Sequence, residues 1–153
     1  GPYATVTLSQ VDANTVSVSV APLPGFALHH QFGFNAPGDA TVTVSTAGWS
    51  VANAGQVDGA GTFTWELKDG HPNYPPEAVN LGLGFTVSRA GGLSISDFTA
   101  NSNGIHFAAQ VYPRDGSPTG FAWTQPIPEP GSLALLGTGL LALGSALRRK
   151  LKI

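Results

Sequence analysis

The chain has no cysteine, which excludes disulfide staples, a thiolate nucleophile and a cysteine-ligated metal; stability has to come from packing and backbone pairing. Methionine is absent too. A chain without an initiator is expected to start after a cleavage. Gly1-Pro2 fits either the scar of a tag protease or the product of signal-peptide removal, and both imply an export signal upstream of this sequence. Charge is scarce, with Asp, Glu, Lys and Arg making up only 10% of the residues, and the seven cations are unevenly spread. Arg148, Arg149, Lys150 and Lys152 account for four, leaving Lys68, Arg89 and Arg114 against eight carboxylates in residues 1–127, a net charge near −5. A domain of that sign repels phosphate backbones, so nucleic acid is not expected as a partner.

Recognisable catalytic spacings are missing as well. The sequence has no Gly-x-Ser-x-Gly elbow, no His-Glu-x-x-His helix and no phosphate loop. Asp58-Gly59, Asp69-Gly70 and Asp115-Gly116 read as turn dipeptides, and none begins an EF-hand loop. No catalytic residue, metal site or cofactor is therefore expected.

What is present is alternation. Val6 and Leu8 alternate with Thr5 and Thr7; after Asp12-Ala13-Asn14 the pattern resumes at Val16, Val18 and Val20, the signature of a hairpin. Pro22 and Pro24 cannot serve a ladder and predict a connection from one sheet to another. Phe26, Leu28, His30, Phe32 and Phe34 share the next face, which predicts an inward His30 and a solvated His29, since neighbours on a strand point oppositely and cannot ligate one ion without a bulge. Short strands follow around Val42, Trp49 and Phe63 to Leu67. The clearest alternation is Val79, Leu81, Leu83, Phe85 and Val87, and later runs carry Ile105, Phe107, Ala109, Val111, Phe121 and Trp123. No helical period precedes Gly131. Eight or nine strands with Gly, Pro and Asn turns predict an all-β fold. Residues 1–124 are read as one antiparallel β-sandwich, jelly-roll or immunoglobulin-like, with Val18, Phe32, Phe63, Trp65, Leu83, Phe85 and Phe107 in one core.

The longest irregular segment runs from Asp69 to Glu77, where three prolines exclude a strand. Loops on a rigid scaffold are favoured places for binding groups, so Asp69, His71, Asn73 and Tyr74 are the best candidates for ligand contact, although a plain solvated crossover is the favoured reading of the segment. Trp49, Trp65, Tyr74, Tyr112 and Trp123 are the rings that could lie against sugars, although the three tryptophans fall in phase with apolar neighbours and suit a core better, which leaves Tyr74 and Tyr112 open.

The tail, 125–153, has a different character. A proline-rich spacer covers 125–131. Ser132 to Leu147 then holds seven Leu and three Ala without a charge, and a basic end, 148–153, closes the chain. Counted from Gly131 the apolar run is seventeen residues, at the lower edge of the roughly 17–25 that span a bilayer as a helix. Arg148, Arg149, Lys150 and Lys152 form a basic anchor that orients the end toward the cytoplasm and the domain outside.

Pro128-Glu129-Pro130, a short apolar helix and a cationic end, in that order, resemble the PEP-CTERM sorting signal of Gram-negative bacteria that make extracellular polysaccharide. The resemblance covers only the tail. It implies that a membrane-embedded exosortase recognises the tail and cuts at or near Pro128-Glu129-Pro130. The precursor would be anchored in the inner membrane with a periplasmic domain, and the mature form would reach the cell surface or the extracellular space. Three functions are then open. A structural or adhesive component of an exopolysaccharide matrix or biofilm leads, a carbohydrate-binding module is the alternative, and a hydrolase is least favoured. Exopolysaccharide is the expected ligand in the first two.

Overall fold

The first hairpin shows how alternation becomes structure. In the computed structural model, which describes residues 2–52, 54–70, 82–115 and 120–124, strand β1 (Ala4–Asp12) pairs antiparallel with β2 (Thr15–Pro22). Val16, Val18 and Val20 are buried, while Ser19 and Ala21 between and beyond them are exposed, as a period of two requires. Asp12 Oδ1 accepts the Asn14 amide at 2.7 Å and closes the turn. After Pro22 the chain crosses to the other sheet, with the Phe26 amide donating to Leu23 O at 3.0 Å around Gly25, whose φ of +89° is the left-handed region that glycine tolerates.

Eleven strands form among the described residues. The others are β3 (Phe26–Phe34), β4 (Thr41–Val44), β5 (Trp49–Ala52), β6 (Gly55–Val57), β7 (Gly61–Phe63), β8 (Trp65–Asp69), β9 (Leu83–Ser88), β10 (Phe107–Pro113) and β11 (Gly120–Trp123). One sheet has the order β1-β2-β9-β4, a second β11-β10-β3-β8-β5, and β6 and β7 make a separate hairpin. Every pairing is antiparallel. The two larger sheets share one apolar core. Val18 and Phe85 from the first meet Phe32, Phe34, Leu67 and Phe107 from the second, and the Phe85 ring lies 4.9 Å from that of Phe34.

Phe63 is not part of that core, contrary to the sequence expectation. It packs with Val57, Ala60, Ile105 and Ala108 in a second cluster. The cause is residue size on the back of the second sheet. Gly33 alternates with the inward Phe32 and Phe34 and pairs with Ala108, so the outer face is flat there. A Cβ at Gly33 would stand 2.6 Å from Phe63 Cδ2 and 2.8 Å from Val57 Cγ2. The β6–β7 hairpin settles into that space, and these two strands carry the total past the eight or nine expected. Trp65 reaches the main core only in part; its Nε1 donates to Pro37 O at 3.3 Å. The stretch after Gly91-Gly92 includes a single 3₁₀ turn, Ile95–Asp97. No helix among the described residues is long and apolar enough to cross a membrane. The spacer 125–131, the apolar run 132–147 and the basic end 148–153 lie outside the described residues.

Candidate functional site

A bulge in β3 organises one end of the second sheet. Phe32 pairs with Ala109, but the next register partner of β10, Gln110, pairs with His29, so His30 and Gln31 are extra on the β3 side. An insertion of two preserves parity, and Leu28 and Phe32 both remain buried. His30 takes up the distortion with φ +56°, unusual for a residue with a Cβ, and is exposed, whereas His29 is half-buried. The predicted placement of the two histidines is thus reversed. The sequence carries no glycine here to announce the bulge.

The two imidazoles stand 5.5 Å apart between centroids, and the His29 ring is 6.5 Å from Tyr112. Burial lowers the pKa of His29, proximity to His30 lowers it further, and the Asp69 carboxylate opposes both. Asp69 itself is buried, as the last residue of β8, and pairs with Trp49 of β5. This corrects its assignment to an open loop. Trp65, Leu67 and Asp69 share one parity, and the strand runs one residue further than the turn dipeptide suggested. The structure therefore brings Asp69 toward His29. Of its predicted companions, His71, Asn73 and Tyr74 lie outside the described residues. No three His, Cys, Asp or Glu among the described residues are placed to hold a metal ion.

A buried carboxylate on the outer face of β8 had no sequence signal beyond its place in the alternation. Glu66 is buried beneath β6, where the absence of a side chain at Gly55 makes room; a Cβ there would fall on Glu66 Oε2. Lys68 Nζ lies 3.5 Å from Oε2, and Oε1 has no hydrogen-bond partner among the described residues.

The rings proposed for sugar contact are dispersed. Trp49 is buried, Trp65 and Tyr112 are half-buried, and Tyr74 is outside the described residues. Trp123 is 43% exposed, and with Tyr3, 40% exposed, it flanks a cleft of about 580 Å³ between the outer edges of β1 and β11, floored by Val20, Phe32 and Phe107. A second depression of about 760 Å³ has a mixed lining that includes Asn35, Pro37, Phe63, Thr64, Asp97 and Asn101. Its amides are largely committed: Asn35 Oδ1 accepts from Thr64 N at 2.8 Å, and Asn101 Nδ2 donates to Ala60 O at 2.8 Å. The Asp97 carboxylate accepts from the Ser94 amide at 2.7 Å, which holds its pKa below the usual carboxylate value.

The described residues thus define an antiparallel β protein with almost no helix, and the tail supplies the more specific assignment. Residues 126–150 match the PEP-CTERM protein-sorting motif, in agreement with the resemblance carried by Pro128, Glu129, Pro130 and the cationic end. The motif implies an exported, exosortase-targeted protein made as a membrane-anchored precursor. No curated protein and no solved structure matches the chain.

Proposed function

We propose that the chain is an exosortase-processed protein of the cell surface or extracellular matrix, with a structural or adhesive role among exopolysaccharide and no catalysis of its own. The sorting motif at 126–150 carries this reading. The architecture we assign to the domain is an immunoglobulin-like sandwich. In support, the order β1-β2-β9-β4 corresponds to the ABED sheet of that fold and β11-β10-β3 to its GFC sheet, with β5 to β8 inserted between strands D and E. Such a frame places loops at two ends and needs no assembled reaction centre to serve as a matrix component.

The carbohydrate-binding alternative draws support from one feature, the pairing of exposed Tyr3 and Trp123 on the rim of the cleft. Both readings are tested on the processed protein from a host that has the exosortase and makes polysaccharide. For a structural or adhesive component, the protein is expected in the polysaccharide fraction, and its deletion weakens the matrix. A protein found free in the medium, with matrix cohesion unchanged in the deletion strain, refutes that role. If retention is lost in a Tyr3→Ala, Trp123→Ala variant, the binding-module reading replaces it. Loss on joint replacement of His71 and Tyr74, with the buried Asp69 left in place, would locate binding at the Asp69–Glu77 segment instead.

A further inference from the structure

The ends of the two large sheets are unequal. Among the described residues, strands β4, β5 and β11 each present a terminal edge of four residues, whereas the terminal strand β1 is nine residues long. Natural proteins usually blunt long edges with charge, proline or very short strands. The irregularity between Gln10 and Asp12 and the Asp12 carboxylate blunt only the far end of this strand; from Ala4 to Gln10 its register is regular and it has no charge and no proline, although the domain around it is acidic. We propose that β1 is a homotypic docking edge, which pairs antiparallel with β1 of a second copy about a two-fold axis at Thr7.

The register follows from which backbone groups are free. The Leu23 amide donates to Tyr3 O at 2.9 Å, and Ser9 O accepts from Ser17 Oγ, so the odd-numbered residues of β1 turn their backbone groups toward β2. Pro22, which has no amide to give, accordingly sits opposite Ala4. By antiparallel alternation the amides and carbonyls of Ala4, Val6, Leu8 and Gln10 point to the free edge. An isologous pair centred on Thr7 places Val6 against Leu8 and Ala4 against Gln10, all even-numbered, so each such pair exchanges both bonds. Centring on Val6 or Leu8 also matches even with even but shortens or offsets the overlap. The Thr7 register has further consequences. Thr5 meets Ser9 and Thr7 meets Thr7 on the solvent face, both favourable cross-strand combinations. No carboxylate opposes another, because Asp12 falls outside the overlap. The partner's Val6 and Leu8 would stand on the core side, over the mouth of the cleft between β1 and β11. A strand pair of this length is a modest interface, suited to reversible association at the high local concentration of a matrix.

This deepens the structural reading above by naming the partner as a second copy, and it is tested separately from matrix retention. The chain has no cysteine, so a single Thr7→Cys variant of the full chain reports without ambiguity. Thr7 is on the two-fold axis in a non-hydrogen-bonded pair, where Cα atoms are about 4.5 Å apart, within disulfide range. Under mild oxidation Thr7→Cys is expected to give at least about tenfold more disulfide dimer than Thr5→Cys, because the proximity of the two thiols acts as an effective concentration. A mixture of Thr5→Cys and Ser9→Cys chains should cross-link where neither does alone. Thr7→Lys, exposed and neutral to the fold, should weaken dimerisation in sedimentation about fivefold. If Thr7→Cys stays monomeric with a maleimide-reactive thiol, the homotypic edge is refuted. If the thiol is protected yet does not cross-link, the edge belongs to another segment or partner, which equally overturns the proposal. Circular dichroism on each variant separates either result from misfolding. Failure here would leave processing and polysaccharide retention standing.

Discussion

Single side chains in this protein act through what their neighbours lack. Glu66 fits only because position 55 has no Cβ. We predict that Gly55→Ala costs about 1–3 kcal/mol, the range for overpacking a filled site, and that the cost largely vanishes in a Glu66→Ala background because the two positions share one space. Denaturant melts of the four proteins form the cycle; an unchanged cost in the second background would refute the clash. His29 gives a pH signature. Its folded pKa is lowered, first by burial and then by His30, so the unfolded chain binds a proton more readily than the fold does. Above the ordinary histidine value, about 6.5, both states are neutral and there is no penalty. As pH falls through that value stability drops, until the lower folded pKa is passed. Thermal midpoints of wild type and His29→Gln between pH 7.5 and 5 check this; the variant should lose part of the decline.

At the scale of elements, the two clusters are separated by the second sheet, with β9 serving one and the β6–β7 hairpin the other. Phe85 is buried between Phe32 and Phe34, with ring centroids 5.9 and 4.9 Å away. Phe85→Ala should cost about 3–5 kcal/mol. Phe63→Ala should fall in the same range yet act independently, so that the double variant adds to within about 0.5 kcal/mol. Strong coupling in urea titrations would mean that the clusters are one. The alternation that marked β2, β9 and β10 was legible because one face of each is buried against the opposing sheet. The hairpin was not, because Gly55–Val57 and Gly61–Phe63 are too short to show a period and owe their position to Gly33 and Ala108, which are distant in sequence.

For the whole molecule, sorting and folding are assigned to different parts of the chain. Glu129 falls within the matched motif, whereas the two cores formed by the described residues are drawn from 4–122. Glu129→Ala is therefore predicted to leave the fold unchanged and to trap the precursor in the membrane fraction of an exosortase-bearing host. Fractionation and intact-mass measurement read the outcome; normal release of the variant would remove this residue from the recognised signal.

The sequence by itself determined the sorting tail, whose triplet, apolar run and cationic end act as a contiguous local code. It also determined the β character of the body, because a period of two needs only neighbouring residues to be seen. The candidate site was less legible. Asp69 was visible as chemistry but misplaced, since its burial follows from the last pairing of β8 with β5, and the exchange of inward and outward roles between His29 and His30 follows from register slippage against β10. The free β1 edge, the cleft beside β11 and the bed under β6 likewise arise between strands far apart along the chain. Tertiary structure alone decided these, because register, edge and cavity are relations between strands, and a strand's own alternation carries no record of which partner lies beside it.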